Sequence, residues 1–332
     1  MKLLILYHTT RQNTTDGSAA KPMKGLAFLM RPIFTDLAME ARGAQLASRQ
    51  EMTSDGVERT IVTIDTPEAA EQLMRPMGTY VTLSCPQSLT IDLCTRQALS
   101  RELAADIVRM LPSDVRCVLV TGLGNRSVTP DALGPRTVER VLVTRHMKGL
   151  LPGDAEAGMR SVCAAAPGVL GVTGVETAEV VRGMAEHVRP DAVIAVDALA
   201  ARSSLRICST IQIADTGISP GSGVGNHRQA LSRETLGVPV IAVGVPMVVY
   251  ASTIAGDALA AFAKADGAMT EDEEKLSACV EQVVSEQLGD LIVTPREVDA
   301  LVERMAGILA EGINLALHPG LTSADVAQLM AT

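Results

Sequence analysis

Two aspartates that follow apolar runs are the side chains of this sequence best placed to do chemistry. Asp197 comes directly after the run Ala192–Val196, and Asp131 lies in the turn-rich stretch that follows Cys117–Val120. In open α/β sheets, sites form at the carboxyl ends of strands. If the two carboxylates faced each other there, one could hold a proton while the other activates water. Paired acids divide the work of amide hydrolysis in this way.

Each aspartate also has a purely structural interpretation. Asp197 could cap a helix that begins at Ala198. Thr129 could cap a helix with Pro130 at its first position, which places Asp131 in the first turn, where the helix dipole favours an anion. The residues alone leave the catalytic and the capping interpretations open.

Other residue patterns give no specific signal for a cofactor or a metal. The pair Gly122 and Gly124 lacks the third glycine of a dinucleotide fingerprint, and Gly221–Gly225 lacks the Lys-Ser/Thr of a P-loop. Both clusters are typical of tight loops in which glycine allows positive φ. No histidine pair has metal-ligand spacing, and no serine lies in a G-x-S-x-G context. We therefore predict no cofactor and no metal.

Composition and charge argue against a nucleic-acid-binding, a membrane-spanning or an exported protein. The 332 residues are 47% hydrophobic but include only three Tyr, three Phe and no Trp, so the core must be aliphatic. The net charge of −9 argues against a nucleic-acid binder, which needs a basic face. The longest apolar stretch, 236–251, is too short for a membrane span, and the N-terminal one, 3–7, is too short for a signal-peptide core. Six scattered cysteines without a CxxC indicate a reducing, cytoplasmic compartment.

Apolar runs that alternate with amphipathic helices predict the fold. Three continuous runs, at 117–120, 192–196 and 238–243, indicate strands buried on both faces, whereas the alternating stretch 207–213 predicts a half-exposed or edge strand. Helices are expected over 91–111 and after the capping boxes Thr173/Glu176, Thr270/Glu273 and Thr294/Glu297. We predict a three-layer α/β sandwich with a mostly parallel sheet.

The N-terminal stretch 9–24 is polar and rich in Thr, Ser, Asn and Gly, which is typical of a tail outside the folded domain. We therefore divide the chain into a candidate propeptide at 1–36 and a single α/β domain at 37–332.

Several ordered motifs resemble the spore germination protease family. Together they span about residues 35–318. They are Thr35–Glu40, Gly122–Asn125, Val128–Pro135, Val143–His146, Pro167–Gly171, Gly174–Thr177, Val196–Arg202, Thr210–Ile218, Pro220–Asn226 and Val293–Asp299.

The resemblance implies an atypical aspartic-type endopeptidase that degrades small acid-soluble spore proteins during germination, with Asp131 and Asp197 as its catalytic pair. It also implies a phosphorylase/hydrolase-like fold similar to that of the hydrogenase-maturation peptidases, a homotetramer and a location in the forespore or spore core. The family is made as zymogens, and its processing motif falls on Asp36 and Leu37.

The glycine-rich loop after residue 220 is a candidate for substrate or oxyanion contacts, through Gly221, Ser222, Gly223, Gly225 and Asn226. The sequence departs from the family at Tyr250, where Asp is common, at Met247, where Thr is usual, and in a shortened segment at 260–271. Two alternatives therefore stay open: a metal-recognising maturation peptidase of similar fold, and a catalytically silent binding relative. A nucleotide-binding oxidoreductase ranks behind both, because the glycine fingerprints are incomplete.

Overall fold

The computed structural model describes residues 35–41, 43–53, 55–85, 92–147, 149, 158–219, 229–265 and 291–330. The chain divides into two compact units, one made of residues 33–250 and 292–332 and the other of residues 1–32 and 251–291. The first unit contains the whole described sheet. The helix predicted after Thr270 and the glycine-rich loop at 221–226 lie outside the described residues.

The described strands and helices alternate along much of the chain. The strands are β1 Ser48–Met52, β2 Glu58–Ile64, β3 Gly78–Ser84, β4 Cys117–Gly122, β5 Ser161–Ala165, β6 Ala192–Ala201, β7 Thr210–Ala214, β8 Val240–Tyr250 and β9 Ile292–Val293. The helices are α1 Pro67–Leu73, α2 Leu93–Met110, α3 Leu133–Val138, α4 Leu170–Thr173, α5 Thr177–Val188, α6 Arg233–Leu236, α7 Ala251–Ala265, α8 Val298–Leu317 and α9 Ser323–Met330. None of the described helices is long and apolar enough to cross a membrane.

The strands form one mixed sheet in the order β1-β2-β3-β7-β8-β6-β4-β5, with β9 paired to β8. The neighbours β8, β6, β4 and β5 run parallel, as the apolar runs predict. All other pairings within the described sheet are antiparallel. The α/β class is thus confirmed, and the expected parallel arrangement holds for these four strands.

Helices cover both faces of the sheet. On one face, α2, α3 and α8 contribute Leu99, Leu133 and Leu309 to the main apolar cluster. On the other, Val181 of α5 packs with Leu119 of β4 and Val193 of β6. The predicted three-layer sandwich is therefore present, with the parallel strands buried on both sides.

The stretch 207–213 is not an edge strand, contrary to the sequence prediction. It supplies β7, which lies between β3 and β8, and all five of its residues are buried. Its alternating polar residues suggested exposure, but Gln212 faces the backbone of residues 36–38 rather than water. A contact across more than 170 residues of sequence leaves no local signal.

Two of the predicted capping boxes do not form. The hydroxyl of Thr173 donates to the carbonyls of Val169 and Val175, and α5 begins only at Thr177. The hydroxyl of Thr294 donates to the carbonyl of Met247, and α8 begins at Val298. In both places the threonine hydroxyl, which the pattern assigned as the N-cap of the helix, instead donates to a carbonyl outside that helix.

An ion network joins the antiparallel side of the sheet to α2. Arg59 of β2 pairs with Glu102 at 2.6 Å and with Asp106 at 3.2 Å, and both side chains of the second pair are almost fully buried. Burial raises the pKa of Asp106, although Arg59 and Arg109 oppose the shift. A buried carboxylate of this kind depends on its partner to remain ionised.

Replacing Arg59 should therefore destabilise the fold. We expect Arg59→Met to lower the free energy of unfolding by about 3–5 kcal/mol, because it leaves the buried Asp106 with only the exposed Arg109 as a cation. The matched control is Arg101→Met, which removes the exposed pair with Asp55 and should change stability by less than about 1 kcal/mol. Urea denaturation measures both, and equal losses would contradict the prediction.

Candidate active site at the carboxyl ends of the parallel strands

Asp197 lies inside a strand rather than at the start of a helix. Strand β6 continues to Ala201, so the helix-capping interpretation of Asp197 is wrong. The side chain is almost fully buried, and its Oδ1 accepts the N–H of Ala198 at 2.9 Å. Its register partner on β8 is Gly244, which has no side chain to occupy the same face.

Asp131 is fixed by the loop that follows β4. It ends a 3-10 turn, Thr129–Asp131, which is preceded by Val128 rather than capped by Thr129. The Oδ2 of Asp131 accepts the N–H of Asn125 at 2.7 Å. Gly124 has a φ of +107°, and a Cβ there would come within 2.1 Å of the Asp131 carbonyl oxygen. Only glycine allows this close approach.

The two segments that carry the aspartates meet through their backbones. The N–H of Leu123 donates to the carbonyl of Val196 at 2.8 Å, which extends the pairing of β4 and β6. A Cβ on Gly134 would lie 2.6 Å from that same carbonyl oxygen and 2.5 Å from the Leu123 nitrogen. Gly134 comes three residues after Asp131, and Val196 immediately precedes Asp197. Asp131 therefore lies in the loop that follows β4, and Asp197 lies on β6 one residue beyond the last residue that pairs with β4.

The predicted processing motif docks on the same strand. The N–H of Asp36 donates to the carbonyl of Ala200 at 2.9 Å, and the Asp36 carboxylate accepts the N–H of Ala200 at 2.8 Å. Leu37 is fully buried and packs in a cluster with Leu199, Ala201 and Val249. The segment thus occupies the part of β6 that runs beyond Asp197.

Glu40 anchors the far side of this motif. Its carboxylate accepts the backbone N–H groups of Arg202 and Ser203 at 2.7 and 3.1 Å, and it pairs with the Arg206 guanidinium at 3.1 Å. It also accepts the hydroxyl of Thr35 at 2.5 Å. Sequence reasoning assigned no role to Glu40, although it is the last residue of the motif Thr35–Glu40.

Two of the three departures from the family, Met247 and Tyr250, are buried residues of β8, and residues 266–271 of the third, the segment 260–271, lie outside the described residues. Met247 is fully buried, with its sulfur 3.8 Å from that of Cys208, and Tyr250 is buried at the end of β8. Burial raises the pKa of Cys208 to about 12, so this thiol stays protonated and unreactive. Among the described residues, no group of three His, Cys, Asp or Glu side chains is arranged to hold a metal ion.

The sequence model of the germination protease family, Peptidase_A25, matches residues 38–278 and 262–329. The chain belongs to this family. The resemblance expected from the motifs is thereby confirmed, and the protein is a peptidase.

Germination proteases from several bacteria are similar to it over most of their length. The one from Clostridium acetobutylicum is 41% identical over 323 residues, covering 90% of this chain and 98% of the relative. The one from Caldanaerobacter subterraneus subsp. tengcongensis is 44% identical over 319 residues, with the same coverage. That from Bacillus cereus is 41% identical over 344 residues, covering 86% and 93%.

Among solved structures, the [NiFe] hydrogenase maturation protease HycI from Thermococcus kodakarensis matches with 18% identity and a TM-score of 0.29. The match covers 55% of this chain and 98% of HycI.

The close backbone approach at Gly134 yields a prediction on stability. Gly134→Ala should cost about 1–3 kcal/mol, because the new methyl overlaps backbone atoms of β6 and of the loop after β4. Gly183→Ala is the matched control: it lies in the exposed middle of α5 with nothing within 4 Å of the new Cβ, and should gain about 0.5–1 kcal/mol. Chemical denaturation measures both, and a neutral Gly134→Ala would show that the strand ends and α3 can separate without cost.

Proposed function

We propose that this protein is an endopeptidase that initiates degradation of small acid-soluble spore proteins during germination, in the forespore or spore core. The family assignment supports peptidase activity, and the relatives carry the name germination protease. The observation that supports the mechanism is the backbone junction at Gly134, where the segment that carries Asp131 contacts the strand that carries Asp197.

The chemistry is water activation by two carboxyl groups. One aspartate takes a proton from water as the water oxygen attacks the carbonyl carbon, and the other gives a proton to the leaving amine as the C–N bond breaks. The backbone N–H groups of Asn125 and Ala198 each hold one carboxylate oxygen, which orients the two side chains. This is an atypical aspartic-type arrangement without a cofactor.

The remaining parts of the proposal rest on family resemblance. The protein is a homotetramer made as a zymogen, with residues 1–36 as propeptide. The loop containing Gly221, Ser222, Gly223, Gly225 and Asn226 supplies further substrate contacts. Docking of Asp36 and Leu37 on the part of β6 that runs beyond Asp197 supports the processing site.

Isosteric replacement of either aspartate tests the mechanism. We expect Asp131→Asn and Asp197→Asn each to lower the rate of cleavage of a purified small acid-soluble spore protein by about 100- to 10,000-fold, because an amide cannot exchange the proton. Asp191→Asn is the matched control. It precedes the same strand at its opposite end, where its carboxylate accepts two backbone N–H groups, and it should retain parental activity.

The assays in this series also separate the alternatives. A folded Asp131→Asn or Asp197→Asn variant that cleaves at nearly the parental rate would refute the two-aspartate mechanism. Loss of parental activity on treatment with a chelator, restored by a metal, would instead favour the metal-recognising maturation peptidase. Spore protein that is bound but never cut would favour the silent relative.

Processing gives an independent prediction. Incubation of the full chain should produce a new N-terminus at Leu37, identified by N-terminal sequencing and intact mass. The Asp197→Asn variant should keep its full mass under the same conditions. A stable N-terminus elsewhere in the parental protein would place the processing site outside the docked motif.

A further inference from the structure

Gln212 contacts both sides of the proposed processing site. Its side chain is buried on β7, in the interior of the sheet. The amide oxygen Oε1 accepts the N–H of Ala38 at 2.6 Å, and the amide nitrogen Nε2 donates to the carbonyl of Asp36 at 2.9 Å. These two backbone groups flank Leu37, so a single side chain spans the peptide bond between Asp36 and Leu37.

We infer that Gln212 holds and polarises the carbonyl of the bond that is cut. The carbonyl of Asp36 belongs to the Asp36–Leu37 peptide bond, and Nε2–H of Gln212 already points at its oxygen. As water adds to the carbonyl carbon, negative charge develops on that oxygen, and a donor in place beforehand stabilises it. The electron pair on that oxygen then re-forms the C=O double bond as the C–N bond breaks, and the Leu37 nitrogen takes a proton. This role rests on the proposed function.

The register of the sheet places Gln212 on the same face as Asp197. Gln212 of β7 pairs with Gly244 of β8, and Gly244 pairs with Asp197 of β6. Register partners project from the same face of a sheet, and neighbouring strands are about 4.8 Å apart, so the two Cα atoms lie roughly 10 Å from each other. The residue between them has no side chain, and the side chain of Leu199 lies over it.

The segment 36–38 crosses this interval. Asp36 is bound through its backbone to Ala200 of β6, and Ala38 is bound to Gln212 of β7. Between them, Leu37 packs with Leu199, whose side chain covers Gly244. The bond to be cut therefore lies between Ala200, three residues after Asp197 on β6, and the amide of Gln212 on β7.

The same donor is available to a protein substrate. Loss of residues 1–36 removes the Asp36 carbonyl from Nε2 of Gln212, and it removes the Thr35 and Asp36 groups that bond to the backbone of Ala200. A buried amide without a partner is unfavourable, which favours entry of another peptide carbonyl. Gln212 then acts on substrate as it acts on the chain itself.

A charge-changing isostere tests the donor. Gln212→Glu keeps the shape and the acceptor for Ala38 but, when ionised, has no proton to donate to the Asp36 carbonyl. We expect processing and spore-protein cleavage near pH 7.5 to fall about 100- to 1,000-fold, mainly in kcat. As the pH falls and the carboxyl protonates, its O–H restores a donor, so the ratio of variant to parental rate should rise.

Two further variants complete the test. Gln212→Met removes both hydrogen bonds without adding charge, and its loss should be independent of pH. Thr82→Val is the matched control: Thr82 is the register partner of Gln212 on β3, is fully buried, and its hydroxyl has no hydrogen-bond partner among the described residues. It should process and cleave at the parental rate at every pH. Circular dichroism establishes that each variant is folded.

The outcomes distinguish this inference from the function on which it rests. A folded Gln212→Met or Gln212→Glu variant with parental rates overturns the inference, as does a Gln212→Glu loss whose ratio to the parent does not change with pH. If Gln212→Glu does not fold, the Gln212→Met rates decide. Absence of a Leu37 terminus and of spore-protein cleavage in the parental chain would refute the proposed function itself, whatever the Gln212 variants do.

Discussion

The structure depends on the direct backbone contact between the start of α3 and the ends of β4 and β6. At Gly134 there is no space for even a methyl group, because the carbonyl of Val196 and the backbone of Leu123 occupy it. Glycines at 122 and 124 allow the same closeness from the β4 side. The contact closes the loop that carries Asp131 over the strand that carries Asp197. Three positions without side chains thus fix where two acidic side chains lie.

The docked segment 35–40 is the second organising feature, because it converts the ends of the central strands into a buried surface. Strands β6 and β8 run well past the apolar residues that predict them, to Ala201 and Tyr250. Leu37 fills the space against these extensions, and Gln212 satisfies backbone groups that would otherwise be buried without partners. The motif is thus part of the fold as well as a candidate processing site.

Local sequence patterns predict what is decided locally. Continuous apolar runs locate β4 and β6, at 117–120 and 192–196, and helical periodicity locates α2, at 91–111. Both signals lie in neighbouring residues of the sequence, so no distant contact is needed to predict these elements. Patterns fail where a distant partner intervenes. The hydroxyl of Thr294 bonds to Met247, and the face of Gln212 is covered from residues 36–38. The spacing of residues does not decide whether Asp197 caps a helix or takes part in catalysis. Because Asp197 lies inside β6, it caps no helix. Its catalytic role stays a prediction that family resemblance supports.

The contacts of Glu40 make a cut between Asp36 and Leu37 hard to reverse. Apart from the Thr35 hydroxyl, every group that holds Glu40, from Arg202 to Arg206, belongs to the portion of the chain that stays. The described end of the severed leader, Thr35 and Asp36, keeps hydrogen bonds to Arg75, Ala200 and Gln212 but no covalent link to the chain. The new N-terminal segment is held at Glu40, three residues from Leu37. The two ends are then unequally retained, so rejoining becomes improbable on entropic grounds and maturation runs one way.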